Sequence, residues 1–337
     1  MQPSYDLLPD YGLRHTREVG ELTVCNSHLD DPQALQRFWE ENGYWCFQGV
    51  IDLAALRRYR APILKALKAM GLVDADEDEP RYGGRGLERF PPARFAGYEP
   101  LPGVPDAGAW EAFLAEPPVD AFFTRLLGVS PAWVPVSEVR VLPPNEADPA
   151  LLIYPHQDGF YNEGYRFMTV WFPLWASPRA AGGLALAGGC HRHGYLNDLE
   201  APPRFPIRPG RIPNDAWRTA SYQAGDVVIF DRRTPHSGLR NRSSDRFRVS
   251  LDVRCVLPGD PAPVVGWVEA VSADRLDVRD RSNHVGRYLL DTDSFCRAPE
   301  TARRIPLSEV PQAYPKGRKV MLTLEGDRVR MLRIPKE

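Results

Sequence analysis

The sequence predicts a mainly β fold with flanking helices, and three observations carry that expectation. Helical spacing of apolar residues is confined to the region before residue 130. From Ala132 the apolar pattern alternates with a period of two, the spacing of half-buried strands. Thirty-four prolines and 27 glycines supply the turns that many short strands require. The 337 residues read as a single domain, with a mostly helical flank at 1–130, a β core at 131–258 and a C-terminal extension at 259–337.

In chain order, Asp31-Pro32 caps and opens a helix that Asn42-Gly43 closes. Residues 44–51 read as a strand, and Asp52 caps a second helix bearing Leu53, Leu56, Ile63, Leu67 and Met70 on one side, with a kink expected at Pro62. The acidic run at 74–79 reads as a solvated loop, and the glycines and prolines of 81–108 as a long connection. Residues 110–127, broken by Pro117-Pro118, predict two short helices, and 133–142 a strand entering the core. Residues 166–175 form a further strand, 180–189 a tight turn with a short strand, and 195–220 an irregular, proline-rich lid or insertion. Residues 241–254 alternate like a strand with two arginines on one face, whereas 256–310 give no secure assignment. At the end, 320–324 and 329–334 flank a short Gly-containing loop and predict a hairpin.

A formal net charge of −2 and a pI near 6.4 give no basic footprint, which argues against nucleic acid and for a small-molecule substrate. Cys25, Cys46, Cys190, Cys255 and Cys296 are odd in number and scattered, so they read as reduced thiols. The N-terminus has no basic region followed by an apolar run, and no stretch approaches a membrane span. A cytoplasmic enzyme is the expectation, with the oligomeric state left open.

The chemistry concentrates at Tyr154-Pro155-His156-Gln157-Asp158-Gly159. Side chains at i and i+2 of an extended segment share a face, so His156 and Asp158 converge while Gln157 turns away. His236, after the run that starts at Gly225-Asp226, supplies a third donor. Two histidines and a carboxylate on one face of a metal suit non-haem Fe(II) and oxygen chemistry. A buried arginine in the following block could grip a carboxylate through two parallel hydrogen bonds. His191 and His193 form a second close pair at i and i+2 that could rival the first as a metal site, and His15, His28 and His284 read as surface residues.

Across most of its length the chain resembles the phytanoyl-CoA dioxygenase-like Fe(II)/2-oxoglutarate oxygenases. The resemblance rests on residues 38–44, His156-Gln157-Asp158, 169–174, 182–192, Gly225-Asp226 and the block from His236 to Arg248. It implies a double-stranded β-helix core, the jelly-roll or cupin-like barrel. It further implies Fe(II) held by His156, Asp158 and His236, 2-oxoglutarate anchored by Arg248 with Arg246 as the runner-up, O2 as co-reactant, and Trp171 lining the cosubstrate pocket. The implied reaction hydroxylates an unactivated C–H bond of a small molecule, by analogy a secondary metabolite, and releases succinate and CO2. Because Asp158 is present, hydroxylation is favoured over halogenation, while desaturation, epoxidation and ring formation use the same ligands and stay open. Two readings of another class compete: a cupin-like hydrolase or isomerase using zinc or manganese, which would have no use for Arg248, and a non-catalytic binding barrel.

Overall fold

The computed structural model describes residues 19–89, 107–144, 153–162, 165–200, 205–299 and 304–335. Most of the expected connection at 81–108, and the loop leading to the His156 strand, lie outside the described residues. The chain divides into two compact units: residues 1–131, 137–160 and 168–253 form the first, and 132–136, 161–167 and 254–337 the second.

In the first unit the helix Pro32–Asn42 starts where Asp31 accepts the Ala34 amide at 2.9 Å and ends at Gly43, whose φ of 75° a residue with a Cβ rarely adopts. The helix Leu53–Ala69 is capped by Asp52 on the Ala55 amide at 2.7 Å and continues through Pro62 without interruption. Residues 110–127 give two helices as expected, Ala107–Leu114 and Pro117–Leu127.

The strands are β1 (Gly20–Glu21), β2 (Tyr44–Phe47), β3 (Trp133–Leu142), β4 (Ile153–His156), β5 (Phe167–Pro173), β6 (Leu184–Ala187), β7 (Trp217–Thr219), β8 (Val227–Asp231), β9 (His236–Gly238) and β10 (Arg248–Val256). They form two five-stranded sheets, β1-β7-β6-β9-β4 and β2-β8-β5-β10-β3. Leu184 and Leu186 from the first pack with Tyr44, Cys46, Trp171, Val228 and Phe230 from the second in one buried cluster, so the sheets lie face to face. This is the jelly-roll architecture.

Two strands are shorter than their apolar patterns suggest, and in both cases polar side chains take the backbone elsewhere. After Phe47 the Gln48 amide donates to Asn26 Oδ1 at 2.8 Å and the Gly49 amide to Asp226 Oδ1 at 3.0 Å. Strand β10 starts only at Arg248, because Asn241 and Ser243 close the preceding loop: Asn241 Nδ2 donates to Leu142 O and Arg246 O, and Ser243 Oγ to Asn241 Oδ1. The acidic run is a loop whose Asp74 pairs with Arg85 at 2.9 Å and whose Glu79 pairs with Arg246 at 2.9 Å.

The second unit holds the residues that gave no pattern. Strands β11 (Val264–Val271), β12 (Arg275–Asp280), β13 (Val285–Leu289), β14 (Phe295–Cys296), β15 (Lys319–Glu325) and β16 (Arg328–Arg333) form a sheet ordered β13-β12-β11-β15-β16-β14. β15 and β16 are the expected hairpin, pairing Glu325 with Arg328. A further pairing of Leu289 with Arg328 joins β13 to β16 and closes the sheet on itself. Val268, Leu276, Val278, Val320, Leu322, Val329 and Leu332 are buried within it. Among the described residues no helix is long and apolar enough to cross a membrane.

Candidate metal centre

His156 ends β4, and His236 begins β9 directly opposite it in the antiparallel ladder. That register sets the two imidazoles 4.2 Å apart between ring centres. Asp158 does not continue the extended chain as the i, i+2 argument assumed. It opens a helical turn, Asp158–Tyr161, and still meets both histidines: Oδ1 lies 3.5 Å from His156 Nε2 and 3.6 Å from His236 Nε2. The turn is held by the Gly159 amide, which donates to Arg232 O at 2.7 Å. A Cβ built on Gly159 would stand 2.6 Å from the Tyr195 hydroxyl oxygen and 3.0 Å from Arg232 O, so the close approach requires glycine.

Other atoms of these three residues are hydrogen-bonded by the protein in a way that turns one donor of each toward the others. A carbonyl can only accept, so His156 Nδ1 donates to Tyr154 O at 2.8 Å and His236 Nδ1 to Thr234 O at 3.1 Å. Each Nε2 therefore carries its lone pair into the site. Thr169 Oγ donates to Asp158 Oδ2 at 2.7 Å, which turns Oδ1 toward the histidines. Among the described residues this is the one group of three or more potential metal ligands whose donor atoms lie within 4.8 Å of one another. Two imidazoles and a carboxylate fit a divalent iron and leave coordination positions for other molecules.

Strand β10 lies next to β5, which carries Thr169. Arg248, Ser250 and Asp252 share one face of it, and all three are buried. Arg248 Nε and Nη2 and Ser250 Oγ have no hydrogen-bond partner among the described residues. A buried cation in that condition is expensive; burial and the neighbouring Arg140 guanidinium push Arg248 down to about 9. An incoming carboxylate would satisfy the guanidinium's open donors and offset the cost of its burial, so these residues fit the distal end of a dicarboxylate. Arg246 is placed differently, before the strand begins, and its Nη1 donates to Glu79 at 2.9 Å. Trp171 is buried in the core between the sheets, 4.8 Å from Tyr222 between ring centres. Tyr222 is felt electrostatically at Arg248.

His191 is buried in the short 3-10 turn Cys190–His193 and His193 is exposed; neither joins the ligand cluster. The sequence reading passed over Thr169, Ser250 and Gln157. A hydroxyl residue in an otherwise apolar buried strand marks Thr169, and a serine two positions from the arginine marks Ser250. Gln157, between the ligands, is fully buried and bonded on all sides: Nε2 donates to Gly194 O at 2.7 Å and Arg233 O at 2.6 Å, and Oε1 accepts the Leu196 amide at 2.7 Å.

The chain is 28% identical over 254 residues to a 1-deoxypentalenic acid 11-beta-hydroxylase of Streptomyces exfoliatus, covering 71% of this chain and 86% of the relative. The enzyme of the same name from Streptomyces arenae aligns over the same length at the same identity. Among solved structures, the epimerase SnoN in complex with Fe3+, alpha ketoglutarate and nogalamycin RO is 22% identical, with a TM-score of 0.43 over 69% of this chain and 87% of that one. EvdO2 from Micromonospora carbonacea var. aurantiaca, complexed with 2-oxoglutarate, is 15% identical, with a TM-score of 0.47 over 72% and 94%. The phytanoyl-CoA dioxygenase (PhyH) family matches residues 39–250, a span that contains the candidate ligand cluster and Arg248. The chain belongs to that family and is an iron- and 2-oxoglutarate-dependent oxygenase.

Proposed function

We propose that His156, Asp158 and His236 hold the iron, that Arg248 with Ser250 takes the distal carboxylate of 2-oxoglutarate, and that the enzyme hydroxylates a C–H bond of a small molecule. One observation carries this reading. A two-histidine, one-carboxylate cluster occurs together with a fully buried guanidinium whose Nε and Nη2 lack partners among the described residues. A zinc or manganese hydrolase in the same barrel would have no use for that guanidinium. Arg248 rather than Arg246 is the anchor, because Arg246 is already engaged by Glu79. Trp171 and Tyr222 wall the apolar side of the cosubstrate pocket, where the fully buried Tyr222 hydroxyl is spent on Leu184 O at 2.6 Å.

Bound Fe(II) with 2-oxoglutarate and O2 supplies the oxidising chemistry: one oxygen atom enters the substrate C–H bond, and the other ends in the succinate formed as CO2 leaves. The chain's own residues position and protect. Thr169 keeps Asp158 Oδ1 facing the histidines, the Tyr154 and Thr234 carbonyls fix the imidazole tautomers, and the burial of Asp158 and His236 beside a half-buried His156 limits water. Hydroxylation is the favoured outcome because the curated relatives are named as hydroxylases, and their named substrate supports a small organic acid of secondary metabolism as the substrate class. Five buried free cysteines support action in a reducing compartment, the cytoplasm.

Anaerobic addition of Fe(II) and then 2-oxoglutarate tests the reading. A weak visible charge-transfer band is expected, and a panel of small organic acids should then include one that stimulates succinate formation. A folded protein that gives no band with both present would sink it.

A further inference from the structure

Gln157 stands between two metal ligands, yet every polar atom of its amide is directed at another part of the chain. The amide can be oriented only one way here, since a flip would set its oxygen against two carbonyl oxygens. The contacted segment, 194–200, is paired with 205–207: Asn197 bridges to Ile207, the Asp198 amide donates to Pro206 O at 2.9 Å, and Asn197 Nδ2 donates to Phe205 O at 2.8 Å. The Ile207 amide in turn donates to Pro155 O at 2.9 Å, one residue before His156. These arms carry Tyr195 and Phe205, whose rings stand 6.0 and 5.5 Å from that of Phe160, two residues after Asp158. The three rings are half-buried or exposed, so together they offer an aromatic wall beside the helical turn that bears Asp158.

We propose that Gln157 is a positioning residue that links occupancy of the metal centre to the position of the 194–200 and 205–207 arms, so that loading the metal orders the wall formed by Phe160, Tyr195 and Phe205. The physical basis is short. A metal that fixes His156 and Asp158 fixes the backbone between them, and with it the origin of a side chain that makes two hydrogen bonds to the 194–200 arm and a third to Arg233 O. Coupling between two sites is reciprocal, so ordered arms must also favour metal binding. Apolar rings held in place before substrate arrives would favour a substrate with a flat or cyclic hydrocarbon face.

The inference rests on the reading of the metal centre, and the experiment separates the two. Amide hydrogen exchange is followed in the wild-type protein with and without Fe(II), kept anaerobic, at the Leu196 amide and across 194–200 and 205–212. Metal is expected to slow exchange there at least about tenfold, a change of local opening within reach of a few hydrogen bonds. In Gln157→Met, which keeps the chain length and loses the amide, the slowing should disappear and Fe(II) affinity should fall about 10- to 100-fold, as for partners that orient metal ligands. Gln157→Glu should follow it, because its second oxygen faces the Gly194 and Arg233 carbonyls. A residue that merely supported the fold would lower thermal stability while leaving the metal-dependent slowing intact, and that result overturns the proposal. Arms whose exchange is indifferent to metal in the wild-type protein overturn it too, without need of any variant. Failure of the wild-type protein to bind Fe(II) at all would instead remove the reading of the centre and this inference with it.

Discussion

Thr169 and Asp158 are joined by a 2.7 Å hydrogen bond from the threonine hydroxyl to Oδ2, the oxygen that faces away from the two histidines. A buried carboxylate with both oxygens free could rotate and offer the wrong one. Thr169→Val keeps the volume and removes the donor. Fe(II) affinity is expected to fall about tenfold while the fold persists, read by anaerobic titration beside a circular dichroism spectrum. Unchanged affinity would mean that Asp158 is oriented by something else.

Asp158→Ala removes one of the three proposed metal ligands, and 2-oxoglutarate turnover should cease. Succinate release at the wild-type rate from this variant would contradict the assignment of the ligand set.

Arg248→Ala and Arg246→Ala make a paired test. Deleting the buried guanidinium should weaken 2-oxoglutarate binding about 10- to 100-fold, the scale of hydrogen bonds to a charged group. Arg246→Ala breaks a partly exposed pair with Glu79, worth at most about 1 kcal/mol of stability, and should leave binding unchanged. Equal losses in isothermal titration would show that the anchor is misassigned.

Gly159→Ala places a methyl group against Arg232 O and the Tyr195 hydroxyl. Backbone cannot yield as a flexible side chain does, so a loss of about 1–3 kcal/mol is expected. Denaturant midpoints compared at equal slope measure it.

The five cysteines should be silent in the native protein. All are buried, and burial pushes Cys25 and Cys296 up to about 11 and Cys46 and Cys255 up to about 12, so the thiolate is scarce at pH 8. A thiol reagent should count near zero in buffer and five in denaturant. The sign for stability follows from raised folded values: above pH 9 the unfolded chain releases thiol protons that the folded one keeps, so stability falls as pH rises toward 11.

The candidate ligand types were legible because few side chains bind iron, and the His-x-Asp spacing of an extended segment brought His156 and Asp158 to one face. The backbone itself was less so. Asp158 begins a helical turn, and nothing in a His-x-Asp triplet distinguishes that from an extended strand. The late start of β10 depended on Asn241 and Ser243 bonding to Leu142 O and Arg246 O, contacts that no local pattern announces. In the second unit, β12 alternates only over Arg275-Leu276-Asp277-Val278-Arg279, a short run within charged surroundings, and β13, Val285–Leu289, shows no clean alternation. Closure by Leu289 and Arg328 joins positions far apart in sequence.

Both imidazoles donate Nδ1–H to the carbonyl two residues earlier in the chain, Tyr154 O for one and Thr234 O for the other. Neither bond calls on any group that must arrive from outside, so the lone pairs are aimed as soon as the strands are paired. The protein should consequently accept, surrender and exchange its ion without refolding: stripping with a chelator and reloading ought to be quick, repeatable and free of hysteresis. It should also take up Co(II) or Mn(II) in place of iron, leaving discrimination between metals to their supply rather than to the strands.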